Sequence, residues 1–260
     1  MAAAELHAWN AARLAIALSA GLVGGAMNAV GGGGSILTFP ALLWLGVPGK
    51  LASATNSLAV WPGTMTGGWG LRREIRSAPA RWRAWLAPAL AGGAAGAWLL
   101  LVTRAGWFLR LAPLLVLTAT LLLCLEPALA RFAARQPHGA GHRRLGLALL
   151  VAIAVYGGYF GAGMGILLLA DLSLMGWRDL RSGIGVKNLL VLTIKSVAIA
   201  IYIARRMIVW PAALVLAAGT AVGGWSGAHL ARRLPQRWLR RVLIAIGILI
   251  TLKLLLHPVR

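Results

Sequence analysis

Few side chains in this sequence are suited to chemistry, and most of them stand inside long apolar runs. The clearest group comprises Lys187, Asn188 and Lys195 in one run, and Thr55, Asn56 and Ser57 in another. A charged group at membrane depth costs at least ~2.5 to 3.5 kcal/mol, so a lysine there should face a cavity or the interior of a helix bundle. Ammonium, amide and hydroxyl groups in such a setting are suited to binding an anion.

Lys195 and Asn188 are seven positions apart and should share one face of a helix. Two roles are open for Lys195: it is the countercharge of an anionic substrate, or it forms a structural ion pair with Asp171. For Lys187 the substrate role is favoured. Asp171 is the only acid within a predicted membrane segment, which makes it a candidate proton carrier. Thr64, further along the run that contains Ser57, is a candidate to line the same cavity.

Two glycine clusters interrupt the apolar runs. They are Gly31, Gly32, Gly33 and Gly34, followed by Ser35, in the first half, and Gly161, Gly163 and Gly165 in the second. In hydrocarbon an unpaired backbone N–H or C=O costs several kcal/mol, so such breaks must face protein or a watery cavity. The amide groups that begin the short helix after each break form a partly positive end that suits an anion. The alternative is that the glycines only allow close helix packing.

Other kinds of site find no support in the sequence. The first glycine cluster lacks the Gly-Lys-Ser/Thr ending of a nucleotide-binding loop. The histidines lie at termini, in loops or at helix ends, without the spacing of metal ligands, and the single cysteine, Cys124, lies inside an apolar run. We therefore expect no cofactor, no metal and no catalytic site.

The elements that must hold these residues are membrane helices. Hydrophobic residues make up 60% of the 260 residues, charged residues 12%, and the mean hydropathy is +0.80. Apolar runs of roughly 20 residues, enough to cross a bilayer, recur along the whole chain and leave no room for a soluble domain. The 26 basic residues far outnumber the five acids, but most lie in short clusters between runs, as at the cytoplasmic ends of membrane helices. A nucleic-acid partner is therefore not expected.

The apolar runs fall into two similar halves, offset by about 130 residues. In each half a helix meets a glycine cluster and continues as a shorter apolar helix. A helix with the polar cluster follows, and then two further apolar runs. We assign residues 1–130 to a first repeat and residues 131–260 to a second repeat of one membrane domain. The predicted runs are 12–30, 35–45, 51–70, 85–102, 107–125, 145–158, 165–176, 183–204, 209–230 and 238–256.

Two topologies are open, since each glycine-broken pair either crosses the membrane once or turns back as a hairpin. The hairpin alternative places more of the flanking arginines on one side, which should then be the cytoplasm. It also gives each half an odd number of full crossings, so the halves are inserted in opposite directions. We therefore predict an all-α polytopic membrane protein with about eight transmembrane segments in two inverted repeats, an arrangement common in transporters.

The stretch GLVGGAMNAVGGGGSILTFPALLWLGVPGKLASATNSLAV, together with GGYFGAGMGILLL in the second half, resembles the TauE/SafE sulfite exporter family, also called the 4-toluene sulfonate uptake permease family. The resemblance covers nearly the whole chain and rests mainly on the glycine run, Pro40, the Gly46-x-Pro48 spacing and the polar cluster that ends at Ser57. It implies a multi-pass permease of the bacterial inner membrane for sulfite, sulfonates or related organic anions. The glycine run and the polar cluster would be its substrate-proximal segments.

The expected function is secondary transport of a small anion by alternating access around a central site between the repeats. Protons are a candidate coupling ion, the lipid bilayer is the surrounding partner, and a homo-oligomer is compatible with the sequence. One alternative is an intramembrane enzyme, for which the sequence offers neither a nucleophile with a base nor clustered acids for a metal. Another is a membrane partner that another protein needs for assembly and that transports nothing itself.

Overall fold

The computed structural model describes residues 10–30, 33–69, 75–76, 80–135, 140–177, 179–230, 244–245, 248–249 and 251–252. Within them the chain is helical, with turns at the connections and no strand. The helices are α1 Ala11–Val30, α2 Ser35–Trp44, α3 Gly49–Trp69, α4 Leu86–Val102, α5 Ala105–Arg135, α6 Ala140–Tyr159, α7 Met164–Leu174, α8 Leu180–Ala204 and α9 Trp210–Leu230. A short 3-10 helix, Ala80–Trp85, directly precedes α4.

These helices confirm the prediction of an all-α polytopic membrane protein. Four stretches of the described chain are long and apolar enough to cross a membrane. They are Ala11–Asn28, Ala80–Val102, Ala105–Leu125 and Ser182–Ala204. Shorter apolar helices lie at Ser35–Trp44, Arg144–Tyr159 and Met164–Leu174.

The longest helix, α5, extends well past the end of the apolar run that predicted it. The run ends at Leu125, just before Glu126, whereas the helix continues to Arg135. Beyond Glu126 and Pro127 the sequence is rich in alanine, leucine and arginine, which are strong helix formers. Apolar run length therefore predicted the membrane-embedded part of this helix and not its extension. The predicted run at 238–256 lies mostly outside the described residues.

At each glycine break the chain turns back on itself. In hairpin 1, which consists of α1 and α2, a Cβ on Gly34 would meet the carbonyl of Gly24, and Thr38 of α2 also lies against Gly24. Hairpin 2 consists of α6 and α7. A Cβ on Gly157 would lie 2.1 Å from the Met164 sulfur, and one on Gly146 would lie 2.3 Å from the Met175 side chain. Contacts that run in opposite chain directions mean that the two helices of hairpin 2 are antiparallel.

Helix α1 packs along α9 through a seam of glycines. A Cβ on Gly25 would lie 2.3 Å from the carbonyl oxygen of Thr220, and one on Gly223 would lie 2.0 Å from that of Leu22. Small residues let two membrane helices approach this closely. Because Gly21 meets Gly219 and, further along, Ala26 meets Gly227, α1 and α9 run in parallel.

A second glycine seam joins α4 to α6. A Cβ on Gly96 would lie 2.0 Å from the carbonyl oxygen of Val155, and one on Gly158 would lie 2.2 Å from that of Gly93. Gly92 meets Ala154 and Gly96 approaches Tyr159, so these two helices are also parallel. In both seams, the first helix of one half packs against a helix in the later part of the other half.

Helices α3 and α8 lie between the two seams and contact each other. Helix α3 packs on α1, α2 and α9, and α8 packs on α4, α6 and α7. Helix α3 runs antiparallel to α4. Lys50 near the start of α3 donates hydrogen bonds to Leu101 O (2.9 Å) and Thr103 O (2.6 Å) at the end of α4. Further along α3, Ser57 bonds Lys195 of α8, whose neighbour Ile194 lies against Gly93, nearer the start of α4. The polar residues of the two central helices are thereby held at the centre of the bundle.

Candidate functional site

A small cavity lies where the two hairpin tips meet the central helices. Its volume is about 20 Å³, little more than the space that one buried water needs. Hairpin 1, α3, hairpin 2 and α8 all contribute to its wall. The lining residues are Asn28, Ser35, Val60, Thr64, Gly161, Met164, Gly165, Lys187, Asn188, Val191 and Lys195.

Helix α8 supplies the charged wall of the cavity. Lys187, Asn188, Val191 and Lys195 all line it, which is the shared face that their spacing predicts. Lys187 is 4% exposed and Lys195 is 2% exposed. Two buried lysine side chains therefore line the cavity.

The hairpin tips supply backbone amide groups. Ser35 opens α2 and Gly165 lies in the first turn of α7, and both line the cavity. Some first-turn amides bond the glycine carbonyls that precede them, as Ile36 N bonds Gly33 O and Ile166 N bonds Gly163 O at 3.0 Å each, but the start of a helix still carries partial positive charge. Gly161 and Gly163 have φ angles of +75°, a left-handed conformation that glycine adopts without strain, and they let the chain turn between α6 and α7.

The break in hairpin 2 leaves backbone carbonyls at membrane depth, and side chains satisfy them. Three hydroxyl groups and one ammonium group donate to four carbonyls between residues 158 and 162. The pairs are Tyr202 Oη to Gly158 O, Ser53 Oγ to Tyr159 O, Lys195 Nζ to Phe160 O, and Tyr156 Oη to Ala162 O. Two of these donors come from α8 and one from α3, so the two central helices supply three of the four hydrogen bonds that the carbonyls at the break need.

Lys195 does not form the ion pair with Asp171 that was one of its two expected roles. Its ammonium donates to Ser57 Oγ at 3.0 Å and to Phe160 O at 3.3 Å. Asp171 is 2% exposed, and neither of its carboxylate oxygens has a hydrogen-bond partner. The structure thus keeps Lys195 at the cavity wall, held by neutral acceptors, and leaves Asp171 outside the cavity lining.

The polar cluster of α3 is buried but does not line the cavity. Thr55 Oγ1 accepts a hydrogen bond from Val209 N at 3.1 Å, and Asn56 Oδ1 accepts one from Thr38 Oγ1. Ser57 Oγ donates to Ser53 O and accepts from the lysine of α8. These three side chains join α3 to its neighbours outside the cavity lining, and the substrate-binding role predicted for them stays a prediction.

The predicted glycines have separate structural positions. Gly34 packs against Gly24, and Gly33 lies near Leu123 of α5. Gly163 lies against Ala119 of α5 and does not line the cavity, whereas its neighbours Gly161 and Gly165 do. Gly31 and Gly32 lie outside the described residues.

Asn28 is a cavity residue that the sequence reasoning missed. Its Nδ2 donates to Thr64 Oγ1 at 2.9 Å, and Thr64 Oγ1 donates to Val60 O at 3.1 Å. The available signal was an amide side chain in the last turn of an apolar helix, just before the glycine cluster. Met164 and Val191 also line the cavity, but nothing distinguishes them in the sequence from other apolar core residues.

An aromatic cluster lies beside the cavity, next to its lining residue Gly161. Phe39 of α2 packs edge-on against Phe160 at 4.8 Å and Phe108 at 6.4 Å, and Phe108 lies 5.9 Å from Tyr159. Phe108 also touches Gly49 at the start of α3, whereas the cavity residues of α3 lie in its second half. The cluster therefore lies between the cavity and the side of the α2–α3 turn.

Comparison with known proteins agrees with this architecture. A "Probable membrane transporter protein" of Haemophilus influenzae is 26% identical over 245 residues, which cover 93% of this chain and 94% of the relative. The "Probable membrane transporter protein YfcA" of Escherichia coli K12 is 26% identical over 238 residues, covering 90% and 86%. No solved structure matches the chain. The sulfite exporter TauE/SafE family model matches residues 17–254, and the chain therefore belongs to this family of membrane transporters.

Proposed function

We propose that this transporter moves a small anion, with sulfite and simple sulfonates as the first substrates to test, by alternating access about the central cavity. One observation carries the proposal. The first turns of α2 and α7 meet the ammonium-bearing face of α8 at a single buried cavity. Ser35 and Gly165 contribute helix starts, and Lys187 and Lys195 contribute charge.

The electrostatics of the cavity favour a negative occupant. Helix starts carry partial positive charge, and ammonium groups bind oxyanions through charge-assisted hydrogen bonds. Among the described residues that line the cavity there is no aspartate or glutamate. An anion would therefore gain from the lysines and the amides without repulsion from a lining carboxylate.

The directions of the helices support an inverted arrangement of the two halves. Helix α1 is parallel to α9. Helix α3 is also parallel to α9, because Ala59 of α3 contacts Thr220 of α9 and, further along both helices, Thr66 approaches Gly224. Helix α3 is antiparallel to α4, and α4 is parallel to α6. It follows that α1 and α6, the first helices of the two halves, point in opposite directions. Inverted halves that meet at a midplane site are a common basis for alternating access.

The described conformation is a closed one in this proposal. A cavity with room for about one water is too small for an ion with several oxygen atoms. Phe39 of hairpin 1 packs against Phe160 of hairpin 2, beside the lining residue Gly161. Relative movement of the hairpins would separate these rings and widen the cavity.

The direct test is anion flux in proteoliposomes that contain the purified protein. We expect sulfite flux, and we expect Asn188→Ala to reduce it by about tenfold or more, because a hydrogen bond to a charged group contributes about 1.5 to 3 kcal/mol. Thr193→Ala is the matched control, since Thr193 lies on the same helix and its hydroxyl bonds Leu189 O of that helix. Absence of both flux and binding for sulfite, sulfonates and small carboxylates would overturn the proposal.

Asp171 remains the candidate proton carrier. It is buried in α7, against Gly146 of α6, and its carboxylate oxygens have no hydrogen-bond partner. Helices α5, α6 and α8 pack on α7. The charged side chains described on those helices are Arg110, Arg131, Arg144, Lys187 and Lys195, and none of them bonds Asp171.

If protons are coupled to the anion through this residue, a pH gradient should drive sulfite accumulation by the unaltered protein. Asp171→Asn should abolish that response because an amide cannot take up the proton. Ser173→Ala, on the same helix and bonded to Leu169 O, should keep it. Full pH-gradient drive in Asp171→Asn would remove this residue from the mechanism.

A further inference from the structure

The bonds of Lys195 connect the two halves of the molecule at the cavity wall. The ammonium comes from α8 of the second half and donates to Ser57 of α3 in the first half. It also donates to Phe160 O, at the end of α6. The same side chain lines the cavity next to Asn188.

We propose that Lys195 acts as a latch between the halves, which is closed when the site is empty and which the bound anion releases. This inference rests on the proposed function, because it requires an anion at the cavity. It adds that one side chain both binds the substrate and controls the contact between hairpin 2 and α3.

Without an anion, the Lys195 ammonium bonds two uncharged acceptors, Ser57 Oγ and Phe160 O. The C-terminal end of α6 carries partial negative charge, which attracts an ammonium group. Ser57 Oγ donates onward to Ser53 O at 3.1 Å, and Ser53 Oγ donates to Tyr159 O at 3.0 Å. Lys195, Ser57 and Ser53 therefore form one hydrogen-bonded chain that ties α3 to the tip of hairpin 2.

An anion in the cavity competes directly with these acceptors. An ammonium group has three N–H donors, and the structure assigns acceptors to two of them, so the third is open to a ligand at the first encounter. Hydrogen bonds between two ionised groups are roughly twice as strong as those with a neutral acceptor. The ammonium should therefore leave Ser57 and Phe160 O as the anion enters.

Release of the latch has a mechanical consequence. Phe160 O loses its donor and Ser57 Oγ loses a partner, which weakens the contact between hairpin 2 and α3. Phe160 also carries the ring that packs on Phe39 in the aromatic cluster. Anion binding and opening of the aromatic cluster are thus linked through one residue, Phe160, whose carbonyl faces Lys195 and whose ring faces the cluster.

The first experiment tests the latch without any ligand. In the purified protein in detergent, Ser57→Ala and Lys195→Met should each lower the midpoint of thermal unfolding. The double variant should be no less stable than Lys195→Met alone, because both changes remove the same bond. Thr193→Ala on α8, whose hydroxyl bonds Leu189 O of the same helix, is the matched control, and its effect should add to that of Lys195→Met. Additive effects of Ser57→Ala and Lys195→Met would contradict the latch.

The second experiment measures the sulfite affinity of each variant by calorimetry. The direction in which Ser57→Ala changes this affinity shows whether Ser57 competes with the anion for Lys195 or helps to bind the anion. If Ser57 competes with the anion for Lys195, Ser57→Ala should tighten sulfite binding by about threefold to tenfold, the effect of one hydrogen bond of about 0.7 to 1.4 kcal/mol. Thr193→Ala should leave affinity within about twofold of the unaltered protein, because Thr193 does not line the cavity and bonds within its own helix. Lys195→Met should weaken binding by about tenfold or more, and Lys195→Gln serves if that variant does not fold.

The outcomes distinguish the latch from the transport proposal. No sulfite binding by the unaltered protein overturns the proposed sulfite substrate, and with it the release of the latch by sulfite. Binding that Ser57→Ala weakens or leaves unchanged overturns the latch and leaves the substrate proposal intact. Tighter binding in Ser57→Ala, together with non-additive stability, supports both.

Discussion

At the residue scale, the tip of hairpin 2 depends on a glycine that has no room for a side chain. Gly161 has a left-handed backbone with φ of +75°. A Cβ at this position would lie 2.5 Å from Lys195 Nζ and 2.7 Å from Gly157 O. Backbone conformation and close packing therefore both require glycine here.

We expect Gly161→Ala to destabilise the protein by about 1 to 2 kcal/mol from the left-handed backbone alone, with a further loss from the contact with Gly157 O. The measurement is the midpoint of thermal unfolding in detergent. Gly106→Ala on α5 is the control, because nothing lies within 4 Å of the added methyl group there. A Gly161→Ala variant as stable as Gly106→Ala would show that the tip adopts another conformation.

The sequence predicted part of the cavity at this scale. Lys187, Asn188 and Lys195 were recognisable because polar and charged groups are rare within apolar runs, and a helical period places them on one face. The same reasoning gave Asn56 a substrate role, which stays a prediction, but it did not predict that the amide oxygen of Asn56 accepts a hydrogen bond from Thr38 of α2. A side chain's hydrogen-bond partner on another helix depends on tertiary packing, which one sequence does not reveal.

At the element scale, the glycines have two distinct functions. Within the bodies of α1, α4, α6 and α9 they allow backbones to approach closely, and at the hairpin tips they allow the chain to turn. The sequence predicted helix bounds to within a few residues at most ends, because apolar runs end where the membrane ends. It left open which helices pair, since glycine spacing alone does not identify the partner.

The seam between α4 and α6 should not tolerate a branched side chain. Gly96→Val would place its Cβ 2.0 Å from Val155 O, so the helices must separate and folded protein should be largely lost. Ala95→Val is the control, because Ala95 is the adjacent residue on α4 and is exposed. The yield of monodisperse protein in size-exclusion chromatography measures the difference. Equal yields would mean that α4 and α6 do not pack in this way.

At the scale of the whole molecule, the contacts describe two halves that exchange their helices. Helix α1 of the first half packs on α9 of the second, and α6 of the second packs on α4 of the first. The glycine face of α1 is therefore buried by a helix of the second half, and that of α6 by a helix of the first half. The sequence predicted two repeats, but it did not predict this exchange, because the exchange depends on contacts between distant segments.

Opposite orientation of the halves predicts opposite exposure of equivalent turns. A cysteine at Pro48, in the α2–α3 turn, and one at Asp179, in the α7–α8 turn, are both at exposed positions. After Cys124→Ser, a membrane-impermeant maleimide added to intact cells should label only the cysteine at 48, and the one at 179 should react only after lysis. Labelling of both from the same side would contradict inverted repeats.

The seam between α1 and α9 also sets a condition on biosynthesis. Helix α1 ends at Val30 and α9 begins at Trp210, so about 180 residues must be made before the two can meet. At about 5 to 20 residues per second, α1 waits roughly 10 to 40 seconds for its partner. Through that interval its glycine face must be covered by lipid or by the insertion machinery, so the nascent chain is most vulnerable to proteolysis and mispairing before α9 arrives.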